Sequence, residues 1–369
     1  METIISNVKI VNHDETINNA DIIIENNYIK SIIKKSGEGT RIAVPGFIDT
    51  HIHGLYNYDV MEGSKALEII SYQLAKNGTT SFMPTAMTNS WKNILSSLSN
   101  MSENKVWYSR NLGFHIEGPF IGLAKKGAHK PEYLLRANKS KIHQLVKASN
   151  FNLKKISFDP KMMSLKTFDY LKDQWKIIGS IGHTDASYKI SQDFFDRGCN
   201  MVCHLWNAMS GVDSRNPGLA QAALANDNVY TEVIIDLVHS SKETIHFTIK
   251  NKTVDKVIAV SDAIKPAYYV DGENISGDTK VFKKGKLITL AGTNTIAGSG
   301  IVIHDSFVNL AKIGYSLNDA VKITSYNAAK HLGHNKIGQL KENYFADIVL
   351  MNPKSLKIKT VYVDGKKVR

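Results

Sequence analysis

"PGFIDTHIHG", residues 45–54, carries an apolar run into two histidines one residue apart and boxes them between Pro45 and Gly54. Side chains alternate along an extended strand, so His51 and His53 share a face, and Asp49 joins them two residues earlier. Two imidazoles side by side are a poor choice for a dry core, because each ring nitrogen needs a partner and a protonated pair repels. They suit a metal ion. An isolated His-x-His also arises by chance as a half-exposed pair, so the rest of the chain must decide.

Seven more short apolar runs follow, separated by helix-period segments: "TTSFMPT" (79–85), "LGFHIEG" (112–118), "KKISFDP" (154–160), "WKIIGSIGHT" (175–184), "NMVCHLWN" (200–207), "TEVIIDLVH" (231–239) and "DKVIAVSDA" (255–263). Near-continuous apolar runs are the mark of parallel strands buried on both faces, and eight of them alternating with helices predict an α/β fold, a (β/α)8 TIM barrel. His51 and His53 end strand one, Glu117 strand three, His183 strand five and His204 strand six; His239 follows strand seven and Asp262 ends strand eight. All fall at C-terminal strand ends, the face on which barrel enzymes build their sites. Four imidazoles and two carboxylates without a thiolate suit zinc, iron, manganese or cobalt, and a metal with open positions suits catalysis.

The two ends of the chain have another texture. "IISNVKIV" and "ADIIIENNYIKSIIKK" alternate around Asn-rich turns and predict a small antiparallel sheet, and "ADIVLMNPKSLKIKTVYVDGKKV" reads the same way, with Asp364-Gly365 as a hairpin turn. The expected organisation is a small β-sandwich domain built from residues 1–44 and 337–369, flanking a barrel over 45–336.

Composition narrows the classes. With 43% hydrophobic and 22% charged residues, the 369-residue chain reads as a soluble globular protein. No segment has the length and apolarity of a bilayer span, and "METIISNVKI" lacks the pattern of a secretion signal, so the expectation is a cytoplasmic protein with no membrane partner. Cys199 and Cys203, four apart, read as reduced and buried thiols. The net charge of +12 comes from scattered pairs, among them Lys125-Lys126 and Lys154-Lys155, interleaved with acids; this predicts a solvated surface and no nucleic-acid partner. Such a field suits an anionic small molecule. P-loop and dinucleotide fingerprints are absent.

His-x-His after strand one, histidines ending strands five and six and an aspartate ending strand eight together resemble the metal-dependent amidohydrolase superfamily. "HIEGPF" (115–120), "KKGAHKP" (125–131), "GHTDASY" (182–188), "CHLWNAMS" (203–210), "RNPG" (215–218) and "VSDAI" (260–264) are similar to its branch that deacetylates phosphorylated amino sugars. The resemblance implies hydrolysis of N-acetyl-D-glucosamine 6-phosphate to D-glucosamine 6-phosphate and acetate, in amino-sugar catabolism and cell-wall recycling. It implies one or two divalent metal ions (Zn, Fe, Mn or Co) per subunit. Glu117, His183 and His204 would hold one, with the glutamate in place of a carbamylated lysine, since Lys154 and Lys155 open strand four at the wrong end. His51 and His53, with Glu117 and Asp262, would hold a second. Asp262 would act as general base and then acid, and His129 would hydrogen-bond the acetyl carbonyl. Arg215 and His239 would bind the phosphate, and Asn207 with the backbone of Ala208 the phosphosugar. A homodimer is implied, because Arg215 can serve a neighbouring subunit's site.

Three alternatives stay open at this point: an N-acetylgalactosamine 6-phosphate substrate, a cyclic amide, and a catalytically silent scaffold. The chain also departs from the branch's pattern. Leu237 and Val238 stand where Asp-Gly is usual, and bulky Tyr268 and Tyr269 are expected in the pocket wall. "GTNTIAGSG" (292–300) reads as a turn, with Ala297, Gly298 and Ser299 structural or pocket-lining.

Overall fold

The protein is described over residues 2–369 by a computed structural model. Arg41–Pro45 runs in one sheet and Phe47–Ile52 in the next, with Gly46 alone between them. A Cβ at Gly46 would lie 1.9 Å from Thr80 Oγ1, so only glycine lets the chain pass this close to the neighbouring strand. Phe47–Ile52 is the first of eight parallel barrel strands; the others are Thr79–Met87, Phe114–Glu117, Leu153–Phe158, Ile178–Ile181, Met201–Val202, Tyr230–Ile234 and Val257–Val260, paired in chain order. The ring closes where strand one meets the residues after strand eight. Ile52 bridges Ala263, the His53 amide donates to the Ala263 carbonyl, and the Asp262 amide donates to the His51 carbonyl.

Serine and asparagine caps start the surrounding helices, as the sequence chemistry favours. Ser90, Asn138, Ser164, Ser187 and Ser241 each accept a backbone N–H three residues on. Two of these caps matter for the site: Ser187 stops the loop that carries His183, and Ser241 the loop that carries His239. The core between strands and helices is aromatic and aliphatic, with Phe47, Phe82, Phe114, Phe158 and Phe307 fully buried.

The two chain ends share a seven-stranded sheet, in the order Lys366–Lys367, Ile358–Val363, Ile348–Met351, Arg41–Pro45, Glu2–Val11, Thr16–Glu25, Tyr28–Lys34. It packs its own cluster of Val8, Ile10, Ile22, Ile24, Ile348 and Leu350. The sheet is mixed, because Val8–Ile10 pairs in parallel with Arg41–Ala43. Asp364 and Gly365, with φ of 49° and 73°, form the expected hairpin turn.

Several expectations need correction. Strand six shrinks to Met201–Val202, since His204, Trp206 and Ala208 all take positive φ and turn the chain out of the sheet. Strand seven stops at Ile234, where the Asp236 carboxylate accepts the amides of Val238 and His239 and closes a turn. Lys155 is not a surface lysine: it is 1% exposed and points into the barrel. The run from Gly272 to Ser299, where only a turn at 292–300 was expected, is strand-rich. It forms a four-stranded antiparallel sheet, Gly272–Ser276, Thr279–Lys284, Leu287–Leu290 and Ile296–Ser299, inserted between barrel strand eight and the helix Ile303–Lys312.

Candidate metal centre and substrate pocket

Glu117 is the hub at the barrel mouth. Its Oε1 lies 3.0 Å from His183 Nε2 and 2.9 Å from His204 Nε2, and those two nitrogens are 3.1 Å apart. On the other side His53 Nε2 is 3.1 Å from Glu117 Oε2 and 3.2 Å from Asp262 Oδ1, while His51 Nε2 is 3.5 Å from Glu117, 3.4 Å from Asp262 and 3.1 Å from His53 Nε2. Six side chains from five strand ends thus form two groups that share one carboxylate.

The donors fit a divalent ion. Nitrogen and oxygen ligands about 2.0–2.1 Å from a tetrahedral metal stand roughly 3.3 Å from one another, which is the spacing found here. The rings are also oriented for it. His183 Nδ1 donates to the Lys125 carbonyl and His53 Nδ1 to the Thr85 carbonyl, both at 2.9 Å. A carbonyl can only accept, so Nδ1 carries the proton in both and the Nε2 lone pair of the neutral ring is aimed into the cluster. His204 Nε2 and His51 Nε2 stand 3.1 Å from these nitrogens, a spacing that calls for a proton or a metal cation between each pair.

Charge tells the same story. Burial opposes ionisation of Glu117, yet His51 and His183 outweigh it and hold the carboxyl well below its ordinary value. Asp262 is likewise held low, burial being outweighed by His51 and His53. The imidazoles move the other way: burial disfavours their charge, but Asp262 and Glu117 raise His53 to about 10, and Glu117 raises His204 to about 9. Two buried carboxylates create a field that demands positive charge, and protons occupy it when no metal does.

The backbone is bent to build this. His183, His204 and Asp262 have φ of 47°, 23° and 49°, the left-handed region that non-glycine residues avoid. Strained backbone at the strand ends that carry these side chains persists only where the surrounding structure imposes it.

A cavity of about 510 Å³ opens above the cluster. His53, Glu117, His183, His204 and Asp262 form its floor, and His129, Asn207, Ala208 and His239 stand on its wall. His129 is buried rather than a loop residue in solvent; its Nε2 is 3.4 Å from Glu117 Oε2 and its Nδ1 has no partner. Burial lowers its pKa to about 4, so the ring is neutral. His239 Nδ1 is 2.7 Å from Asp236 Oδ2.

Other expectations fall outside the cavity. Arg215 is exposed and does not line the pocket of its own chain. Asp49 does not join the histidines: its Oδ1 accepts the amides of His51 and Ser261 and ties strand one to strand eight. Tyr268 donates to Asp305 and packs at a tilt against Tyr56, and Tyr269 is exposed, so neither shapes the wall. Leu237 and Val238 are exposed beside the His239 turn and do not line the cavity either.

Sequence reasoning missed two groups. The inserted sheet forms one wall through Asp278, Val281, Leu290 and Ile296, together with the expected Ala297 and Gly298. Lys125 and Lys130, on either side of His129 in the chain, also line the cavity, and Lys130 pairs with Asp278 of the inserted sheet at 2.5 Å. The lysines were visible in "KKGAHKP" but indistinguishable there from solvated surface.

Known proteins resemble this chain along nearly its whole length. Residues 42–368 match the Amidohydrolase family. Over 95% of its length the chain is 30% identical to N-acetylglucosamine-6-phosphate deacetylase of Bacillus subtilis (strain 168), covering 93% of that protein. It is 26% identical to N-acetylgalactosamine-6-phosphate deacetylase of Escherichia coli O157:H7, over 87% of this chain and 86% of the relative. The crystal structure of N-acetylglucosamine-6-phosphate deacetylase from Thermotoga maritima superposes with a TM-score of 0.90 at 27% identity, covering 100% of this chain and 99% of that one.

Proposed function

Because the chain belongs to the amidohydrolase family, we propose that it hydrolyses the acetamide of N-acetyl-D-glucosamine 6-phosphate, giving D-glucosamine 6-phosphate and acetate. The observation that carries this reading is the meeting of His51, His53, Glu117, His183, His204 and Asp262 beneath a cavity whose wall holds His129, Asn207 and His239. An amide is a weak electrophile with a poor leaving group, so the site must furnish a nucleophile, polarise the carbonyl and protonate the departing amine.

Glu117, His183 and His204 would hold one divalent ion, and His51, His53, Asp262 and Glu117 a second; zinc, iron, manganese and cobalt all suit these donors. Bound there, such an ion supplies Lewis acidity, lowering the pKa of a water molecule from 15.7 toward ~7. Asp262, held ionised by the neighbouring imidazoles, accepts that water's proton at its carboxylate. It returns the proton to the amine nitrogen as the C–N bond breaks. His129, neutral and buried, donates an N–H to the acetyl carbonyl oxygen as negative charge grows on it. Asn207 and the backbone of Ala208 bind the phosphosugar. Asp236 fixes the His239 ring, which turns its other nitrogen toward the phosphate.

The phosphate calls for a guanidinium fork as well. Arg215, exposed and away from its own pocket, suits delivery into the site of a second copy, so the assembly is a homodimer with shared sites. A cytoplasmic role in amino-sugar catabolism and cell-wall recycling follows from the substrate. The galacto epimer is a second reading, favoured by the likeness to the E. coli O157:H7 relative.

The test is a panel of 6-phosphorylated and free N-acetylhexosamines, following acetate release while counting bound metal by elemental analysis. Rapid turnover of the phosphorylated gluco sugar is expected. Equal turnover of the free sugars would overturn the assignment of the anion pocket, and a preference for the galacto epimer would select the second reading.

A further inference from the structure

Among the largest fully buried side chains in the protein is a lysine, Lys155, in company otherwise aromatic and aliphatic. It enters the barrel from the fourth strand, and its ammonium donates to the Thr50 carbonyl at 2.8 Å and pairs with Glu232 Oε1. Glu232, from the seventh strand, is 0% exposed, and its Oε1 also accepts the Thr50 hydroxyl at 2.9 Å. Its other oxygen, Oε2, has no hydrogen-bond partner and lies 3.6 Å from His51 Nδ1. Lys155, Glu232 and Thr50 do not line the substrate cavity, and nothing in the hydrolysis above uses them.

A buried ion pair is a costly way to fill a barrel, since well-packed apolar side chains of similar volume do as well or better. Its geometry suggests a task. Glu232 is locked by Lys155 and Thr50 on one oxygen, which leaves the second aimed at the far side of a ring whose near side, Nε2, faces His53 and Asp262. Cys203 Sγ, 3.5 Å from the same Nδ1, is a weak acceptor that Ser157 already engages. A carboxylate behind a ligating imidazole fixes its tautomer and raises its basicity, and loss of such a partner typically weakens metal binding 10- to 100-fold.

We propose that the Lys155–Glu232 pair is a positioning device for His51, holding its Nε2 lone pair on the ion shared with His53 and Asp262 and so setting the occupancy of that position separately from the ion at Glu117, His183 and His204. This rests on the metal-centre reading above. Neither residue touches substrate; both act through His51. The lysine keeps the carboxylate charged inside the barrel, and the carboxylate keeps the imidazole turned.

The experiment is zinc titration of the metal-free full chain in competition with a chromophoric chelator, with elemental analysis of the loaded protein. Removing one charge alone would strand the other, so the first variant is the double substitution Lys155→Met/Glu232→Gln, which removes both and keeps the volume. The wild type is expected to bind two zinc ions per chain; the double variant should keep the tighter one unchanged and bind the second about 10- to 100-fold more weakly. Thr50→Val, isosteric and with both charges intact, covers the case in which the double variant does not fold; it should weaken the second ion by roughly 2- to 12-fold. Unchanged second-ion affinity, or equal weakening of both ions, overturns the proposal. So does a wild-type chain that binds only one zinc; if that one-ion protein still releases acetate from the phosphosugar, the proposed function stands while this inference fails.

Discussion

Replacing Asp262 by asparagine removes one titratable oxygen, which is also a charged donor toward the proposed second ion, and the outcome can be worked from the site. Asp262 Oδ1 stands 3.4 Å and 3.2 Å from His51 and His53 Nε2, and the residue opens onto the cavity. The other carboxylates lining that cavity are committed elsewhere. Asp59 accepts the Met61 amide, Glu62 pairs with Lys265, Asp278 pairs with Lys130, and Glu117 is wedged among imidazoles. No neighbour can take over proton transfer, and the full contribution of a general base should be lost: about 10²- to 10⁴-fold in kcat, or roughly 3–5 kcal/mol of barrier. The amide retains the size and one oxygen of the carboxylate, so the ion at Glu117, His183 and His204 should stay and KM should move little. The assay is acetate release from N-acetylglucosamine 6-phosphate, with kcat and KM resolved and metal content measured on the same sample. If D262N kept more than a tenth of the wild-type kcat at equal metal content, the assignment of proton transfer to Asp262 would be wrong.

Four further outcomes follow from the same geometry. Arg215→Ala should lower kcat/KM for the phosphosugar by roughly 10- to 150-fold, the worth of a charged hydrogen bond, and mixing it with D262N under conditions of subunit exchange should restore activity, because one hybrid site then has both groups; failure of the mixture to recover would place the arginine in its own chain's site or outside any site. Zinc loading near neutral pH should release protons, since His53 and His204 hold theirs up to about 10 and about 9 in the metal-free protein; calorimetry in two buffers of different ionisation enthalpy reads this, and heats independent of buffer would contradict it. The sign for stability follows from those raised values: the contribution of the two histidines is fully present below their ordinary pKa and is lost as pH rises through about 9 to about 10, so chelated protein should become easier to denature with urea across that window. Ser187→Ala, which uncaps the helix after the His183 loop, should cost ~1 kcal/mol in the same denaturation assay, and no measurable loss would show that the cap bond is replaced by solvent.

Much of this was legible in the residues because parallel strands and metal ligands both leave local marks. Runs such as "KKISFDP" betray a strand buried on two sides, and His-x-His betrays a shared face whatever lies beyond it. What stayed hidden depended on distance. Lys155 reads as half of a surface lysine pair until Glu232, far along the chain, is seen to meet it inside the barrel. Asp49 has the right spacing to join His51 and His53, yet the Ser261 amide draws its carboxylate to the seam between strands one and eight. The inserted sheet was missed for another reason. Its strands carry lysines and threonines on an exposed face, and their turns at Gly277 and Gly285 resemble those of a plain loop, so alternation there is diluted by polar residues. Arg215 is exposed and away from the cavity of its own chain, so nothing within one chain marks a role for it.

The sharing of one sheet by both chain ends sets the timing of assembly on the ribosome. Arg41–Pro45 finds its partner on one side in Glu2–Val11 early, but its other side stays bare until Ile348–Met351 emerges roughly 300 residues later, about 15–60 s at ordinary translation speeds. Throughout that interval the nascent protein presents an apolar, unpaired strand edge next to the first barrel strand, the type of surface that chaperones hold and that aggregates recruit.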